Sequence, residues 1–105
     1  MKKEIERVKQ LHEKMHFAEN GGEDMLYRMA LISEEVGEIA ECLTKNRGNI
    51  VEEHADLIIL ILGNCIALKA DNEIEQVLNN KLDRLMAMHP TTDGVHTRII
   101  TKDNK

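Results

Sequence analysis

The apolar positions of the chain recur at helical spacing over most of its length. Over residues 2–18, Ile5, Val8, Leu11 and Met15 fall on one stripe, and Asn20-Gly21-Gly22 breaks the pattern. Over residues 23–45, Met25, Met29, Ile32, Val36, Ile39 and Leu43 alternate in steps of four and three, the seam of a helical bundle or coiled coil. Asn46-Arg47-Gly48-Asn49 makes the next break. A third helix is predicted over residues 50–70, and its second half, Leu57-Ile58-Ile59-Leu60-Ile61-Leu62, is apolar on every side. A strand is the other reading of such a run, but helical spacing continues on both sides of it without a turn signal. A helix that is apolar all round must be covered all round. Three other short helices give little cover, so a homo-oligomer is predicted, with this helix near the interface. A fourth helix is predicted from Asp71-Asn72, where Asn72 and Glu75 have the form of a capping box. It carries Ile74, Val77, Leu78, Leu82 and Leu85 on one face and stops before Pro90. Residues 91–105 read as a short tail, an extended arm or strand through Val95 to Ile100. The predicted fold is thus all-α: a four-helix domain over residues 1–90 and a C-terminal tail over 91–105.

Composition narrows the function classes. The chain has 105 residues, one domain's worth, with 14 Lys+Arg against 19 Asp+Glu and only one Tyr, one Phe and no Trp. An acidic chain with two aromatic rings is poorly suited to a polynucleotide, which calls for basic grooves and stacking platforms. One Pro and six Gly argue against a turn-rich β-sandwich. No apolar segment follows Met1-Lys2-Lys3-Glu4, so no signal peptide is expected, and no stretch is long enough to span a membrane. Cys42 and Cys65 lack both metal spacing and the numbers of a disulfide framework. They read as reduced, mostly buried thiols of a cytoplasmic protein.

The acidity is concentrated. The second helix contains Glu34-Glu35-Val36-Gly37-Glu38, and the third opens with Glu52-Glu53-His54-Ala55-Asp56. At about 100° per residue, Glu35 and Glu38 share a face, as do Glu53 and Asp56, and Glu34 neighbours Glu38 at i, i+4. A short break between the two helices makes them pack antiparallel, bringing residues 38 and 53 to similar heights. Up to five carboxylates then converge. Glutamate is a good helix former and commonly fills exposed faces. Two such motifs flanking one turn, beside the most apolar helix, ask for more. Like charges repel unless a cation sits among them, and an all-oxygen ligand set suits Mg²⁺, with Mn²⁺ as a substitute.

The pattern Glu34-Glu35-x-x-Glu38, a spacer of 14 residues, then Glu53-x-x-Asp56 resembles the EExxE…ExxD signature of the all-α NTP pyrophosphohydrolases. These are the MazG proteins with their dimeric dUTPase and dCTPase relatives. The similarity covers residues 11–90. It implies a MazG-like helical bundle, a homodimer or homotetramer, that cleaves an NTP or dNTP to the monophosphate and pyrophosphate. By that resemblance Glu35, Glu38, Glu53 and Asp56 would be metal ligands, and Glu34 would hold or deprotonate the attacking water. Lys81 and Arg84, one turn apart on the fourth helix, resemble the family's phosphate-contacting bases; solvated surface charge accounts for them equally well. The family reads the base near the exit of the first helix, which makes His16, Phe17 and Asn20 the substrate-binding candidates. The chain departs from the larger members in holding one copy of the domain, and its C-terminal arm has no place in the pattern.

Two other enzyme readings and one non-enzymatic reading compete. His12-Glu13-Lys14-Met15-His16 fits the zincin pattern H-E-x-x-H, in which two His one turn apart bind zinc and the Glu activates water. A third ligand could come from Glu34, Glu35 or Glu38. Against it, no strand pattern precedes His12 to bind a peptide, and Glu19 and Gly22 stand where the extended motif needs Gly and His. Without zinc, His12 and His16 read as exposed helix surface. A di-iron bundle needs two Glu-x-x-His pairs, and the chain has one, Glu13-x-x-His16. A helical oligomerisation module fits the apolar pattern as well as an enzyme does; only the acidic faces argue against it.

Overall fold

The computed structural model describes residues 1–99; positions 100–105 of the predicted tail, Ile100 among them, lie outside the described residues. Four helices follow one another, α1 (Lys2–Lys14), α2 (Met25–Lys45), α3 (Ile50–Ala67) and α4 (Ile74–Met86). Two three-residue strands, β1 (Pro90–Thr92) and β2 (Thr97–Ile99), come after them. Among the described residues the chain is therefore mostly helical, as its periodicity predicts. Contacts group Met1–Asn72 into one compact unit, and a second begins at Glu73.

In the first unit α3 packs against both α1 and α2. The α2–α3 pair is antiparallel: Arg28 reaches Leu60 and Asn64, while Glu38 meets Glu53 at the other end. The joint between them is set by side chains of short reach. Asn46 closes α2 in the left-handed region at φ 50°, and Asn49 caps α3 by accepting a hydrogen bond from the Glu52 amide at 3.0 Å. Asp24 caps α2 in the same way through the Leu26 amide, so that helix begins at Met25 rather than at Glu23.

Two helices end earlier than periodicity predicts, for one reason. After α1 the His16 amide bonds Glu13 O and the Phe17 amide bonds His12 O, with His16 at φ 55°. After α3 the Lys69 amide bonds Ile66 O and the Ala70 amide bonds Cys65 O, with Lys69 at φ 59°. Both are Schellman closures, in which two amides fold back on the last carbonyls. Neither has the usual glycine, so nothing in composition marks them. In α1 the closure is backed by a side-chain contact, since the rings of His12 and Phe17 meet edge to face with centroids 5.0 Å apart.

Ile5, Val8, Leu62 and Cys65 are buried, together with His12 and Arg28. Large apolar side chains on α2 and α3 stay in solvent, among them Met29, Val36, Leu43, Val51, Ile58 and Ile61. Cys42 is half-buried and, like Cys65, a free thiol. No helix among the described residues is long and apolar enough to cross a membrane.

In the second unit α4 starts at Ile74, with Glu73 as its cap and no side-chain capping bond. The Asn72/Glu75 box predicted there does not form, because the residues ahead of Glu73 are still in a turn. The strands pair antiparallel, Thr91 opposite Arg98. Their connection is held by Asp93, whose Oδ1 accepts from the Val95 and His96 amides at 2.9 and 2.8 Å. Those two donors keep the Asp93 carboxyl below the usual carboxylate value.

Candidate functional site

Glu35 and Glu38 face α3 from α2, and Glu53 faces back from the first turn of α3. One oxygen from each lies within 4.8 Å of the others. Among the described residues this is the group of His, Cys, Asp and Glu side chains close enough to share a metal ion. Glu35 and Glu53 are half-buried, and Oε2 of each is sealed from solvent without a hydrogen-bond partner. Ionised carboxylates cannot donate to one another, so their close approach leaves lone pairs unsatisfied. A buried polar atom with no partner costs on the order of 1–3 kcal/mol, more when charged.

The charges respond as this geometry requires. The Glu35 carboxyl is held above its ordinary value, first by desolvation, then by the charges of Glu38 and Asp56, while a hydrogen bond with Glu53 opposes the shift. Glu38 is also raised, mainly by the carboxylate of Glu53 facing it at close range. A raised acid pKa means that the folded chain binds more protons than the unfolded chain, between the unfolded value of about 4.3 and the higher folded one. Stability of the metal-free protein is therefore expected to fall as pH rises through that window. Glu41 and Asp93 shift the opposite way, so the comparison that isolates the effect is with Glu38→Gln. Melting temperatures in EDTA are expected to drop with pH more steeply for the unsubstituted chain than for the variant. Equal slopes would show that the three acids do not repel.

The other predicted carboxylates are placed near this group. Glu34, Glu35 and Asp56 line a hollow of about 300 Å³ with Leu31, Ile59 and Leu60. The donor set is all oxygen, two of its atoms are buried and unpartnered, and acid repels acid across two helices. Glu35, Glu38 and Glu53 thus fit a hard divalent cation. Asp56 acts on Glu35 through its charge and stands at the wall of the hollow.

The same three apolar residues, Leu31, Ile59 and Leu60, also line a larger cavity of about 690 Å³. Its other walls include Leu11, Met15, Phe17, Asn20, Tyr27 and Arg28. Carboxylate hollow and apolar cavity therefore adjoin. Phe17 and Asn20 line the cavity as predicted. The third candidate, His16, does not: it is exposed, and its Nδ1 lies 3.1 Å from Glu19 Oε2. Gly22 is needed beneath the ring of Phe17, because a Cβ there would sit 2.8 Å from Phe17 Cβ. Lys81 and Arg84 lie in the unit that starts at Glu73, both exposed on α4.

The H-E-x-x-H motif takes another role. α1 ends at Lys14, so His12 and His16 do not share a helical face. His12 is buried rather than exposed, which corrects its reading as helix surface. Its Nδ1 lies 2.7 Å from Glu23 Oε2. Sequence reasoning also missed Arg28, a buried guanidinium on α2. Its Nε donates to Asn64 Oδ1 at 2.8 Å, Nη1 to Gly22 O at 3.0 Å and Nη2 to Leu60 O at 2.9 Å. One signal was present: Arg28 falls between Met25, Met29 and Ile32, on the seam of α2.

Comparison with family models, with curated proteins and with solved structures gave no match to this chain.

Proposed function

We propose that the chain is a Mg²⁺-dependent nucleoside triphosphate pyrophosphohydrolase of the MazG-like type. The observation that carries this reading is the placement of Glu35, Glu38 and Glu53 around one point, with buried unpartnered oxygens, beside a largely apolar cavity of about 690 Å³. Glu35, Glu38 and Glu53 would hold the metal, with Asp56 as the fourth carboxylate. The bound cation would offset phosphate charge, which the acidic cleft alone would repel. Glu34 is exposed at the edge of the hollow, free to orient a water or take its proton. Phe17, Tyr27 and Asn20 line the cavity in which a base would sit.

The reading includes a homo-oligomer whose interface covers α2 and α3. Its support is the exposure of Val51, Ile58 and Ile61, which a single copy leaves in water. Sedimentation is expected to give a dimer or tetramer; a stable monomer would remove this part.

The deciding experiment is a panel of NTPs and dNTPs with Mg²⁺ or Mn²⁺, separating pyrophosphate from orthophosphate. Pyrophosphate with the monophosphate is expected. Orthophosphate alone would mean cleavage at the terminal phosphate and would overturn the assignment. A non-enzymatic helical module would release neither.

A further inference from the structure

We infer that Glu23 is a positioning residue for the apolar cavity: through the ring of His12 it fixes Phe17 in the cavity wall without lining the cavity itself. This rests on the nucleotide reading above, which seats the base in that cavity. Phe17 stands in the connection between α1 and α2, residues 15–24, where no helix or strand holds the chain. Its ring is held from two sides instead. The His12 ring meets it edge to face, with centroids 5.0 Å apart. Gly22 lies so close that a Cβ there would stand 2.8 Å from Phe17 Cγ. The backbone is tied as well. The Phe17 amide donates to His12 O at 3.1 Å, and Phe17 O accepts from the Asn20 and Gly22 amides at 3.2 and 2.8 Å.

His12 is set in turn by Glu23. The ring is 4% exposed, and its Nδ1 lies 2.7 Å from Glu23 Oε2. A carboxylate only accepts, so Nδ1 carries the hydrogen and the tautomer is fixed. The outer torsion of a histidine is otherwise broad and two-fold. This bond selects the ring plane, and with it the edge that Phe17 meets. Glu23 lines a separate hollow of about 230 Å³ with Lys9, Lys69 and Asp71, and His12 lines both spaces. A change at Glu23 therefore reaches a bound base through the groups it holds in place. Fixing a wall before the ligand arrives removes an ordering cost from binding, not from bond cleavage at the carboxylates.

The test is steady-state kinetics of Glu23→Ala and Glu23→Gln in the full chain, with Mg²⁺ and the triphosphate that the panel shows to be cleaved best. Glu23→Ala is expected to raise KM about 10-fold with kcat unchanged, the loss of one charged hydrogen bond from binding alone. Glu23→Gln keeps an acceptor oxygen for Nδ1 and is expected to bring KM back toward the parent value. The Mg²⁺-induced rise in melting temperature is expected to match the parent's in both variants, because Glu35, Glu38 and Glu53 are untouched. Should Glu23→Ala not fold, Glu23→Asp, one methylene too short for the bond, is expected to show the same change in KM. An unchanged KM, or a loss of kcat and of Mg²⁺ stabilisation along with it, would overturn the role of Glu23 and leave the hydrolase reading standing. No pyrophosphate from the unsubstituted chain would overturn both.

Discussion

Glu35→Gln and Glu38→Gln are each expected to lower pyrophosphate release by roughly 10²- to 10³-fold, the equivalent of several kcal/mol of transition-state charge stabilisation. The amide keeps the shape of the side chain and removes one anionic ligand from a group whose oxygens lie within 4.8 Å. The fold is not expected to suffer. Without metal, each substitution relieves repulsion among Glu35, Glu38 and Glu53, so melting in EDTA is expected to be unchanged or higher. Saturable stabilisation by Mg²⁺ is expected to weaken in both variants. Glu13→Gln serves as the contrast. Glu13 is exposed, on a helix that ends before His16, and its loss is expected to leave activity intact. Full activity in both Glu→Gln variants would mean that the carboxylate assignment is wrong. Loss in Glu13→Gln, with tightly held zinc, would restore the peptidase reading.

Gly63→Ala is expected to destabilise the protein by about 3 kcal/mol, at the top of the range for overpacking a filled interior. A Cβ at Gly63 would overlap Nη2 of Arg28 and stand 2.8 Å from Nε2 of His12. The end of an arginine normally swings aside at small cost. Here it is buried and tied to Asn64, Gly22 and Leu60, so any swing breaks charged hydrogen bonds and leaves carbonyls unpaired. Chemical denaturation would measure the loss. The effect reaches past stability, since Arg28 and His12 also line the cavity, and nucleotide binding is expected to weaken in parallel. A variant as stable as the parent would show that the Arg28 network yields freely.

Much of this was legible in the chain and some was not, for reasons that lie in particular residues. The four-three spacing of Met25 to Leu43 marks a helix, because burying a stripe requires that period, and the apolar run of 57–62 reads as helix through the helical spacing on both sides of it. The helix ends were less legible. His16 and Lys69 take the left-handed conformation in place of glycine, and the cost is met by two backbone hydrogen bonds at each site. That one conformation also turns H-E-x-x-H from a metal motif into the end of a helix.

The acidic pairs belong to the sequence, since spacing alone puts Glu35 with Glu38 and Glu53 with Asp56 on common faces. Tertiary structure decided which of them meet: the antiparallel register of α2 and α3 brings in Glu53, seals one oxygen of Glu35 and one of Glu53 from water, and sets Asp56 at the wall. It also decided Arg28 and Gly63, thirty-five positions apart. A buried cation and the gap that admits it are complementary only once two helices have packed, so neither residue by itself discloses the other.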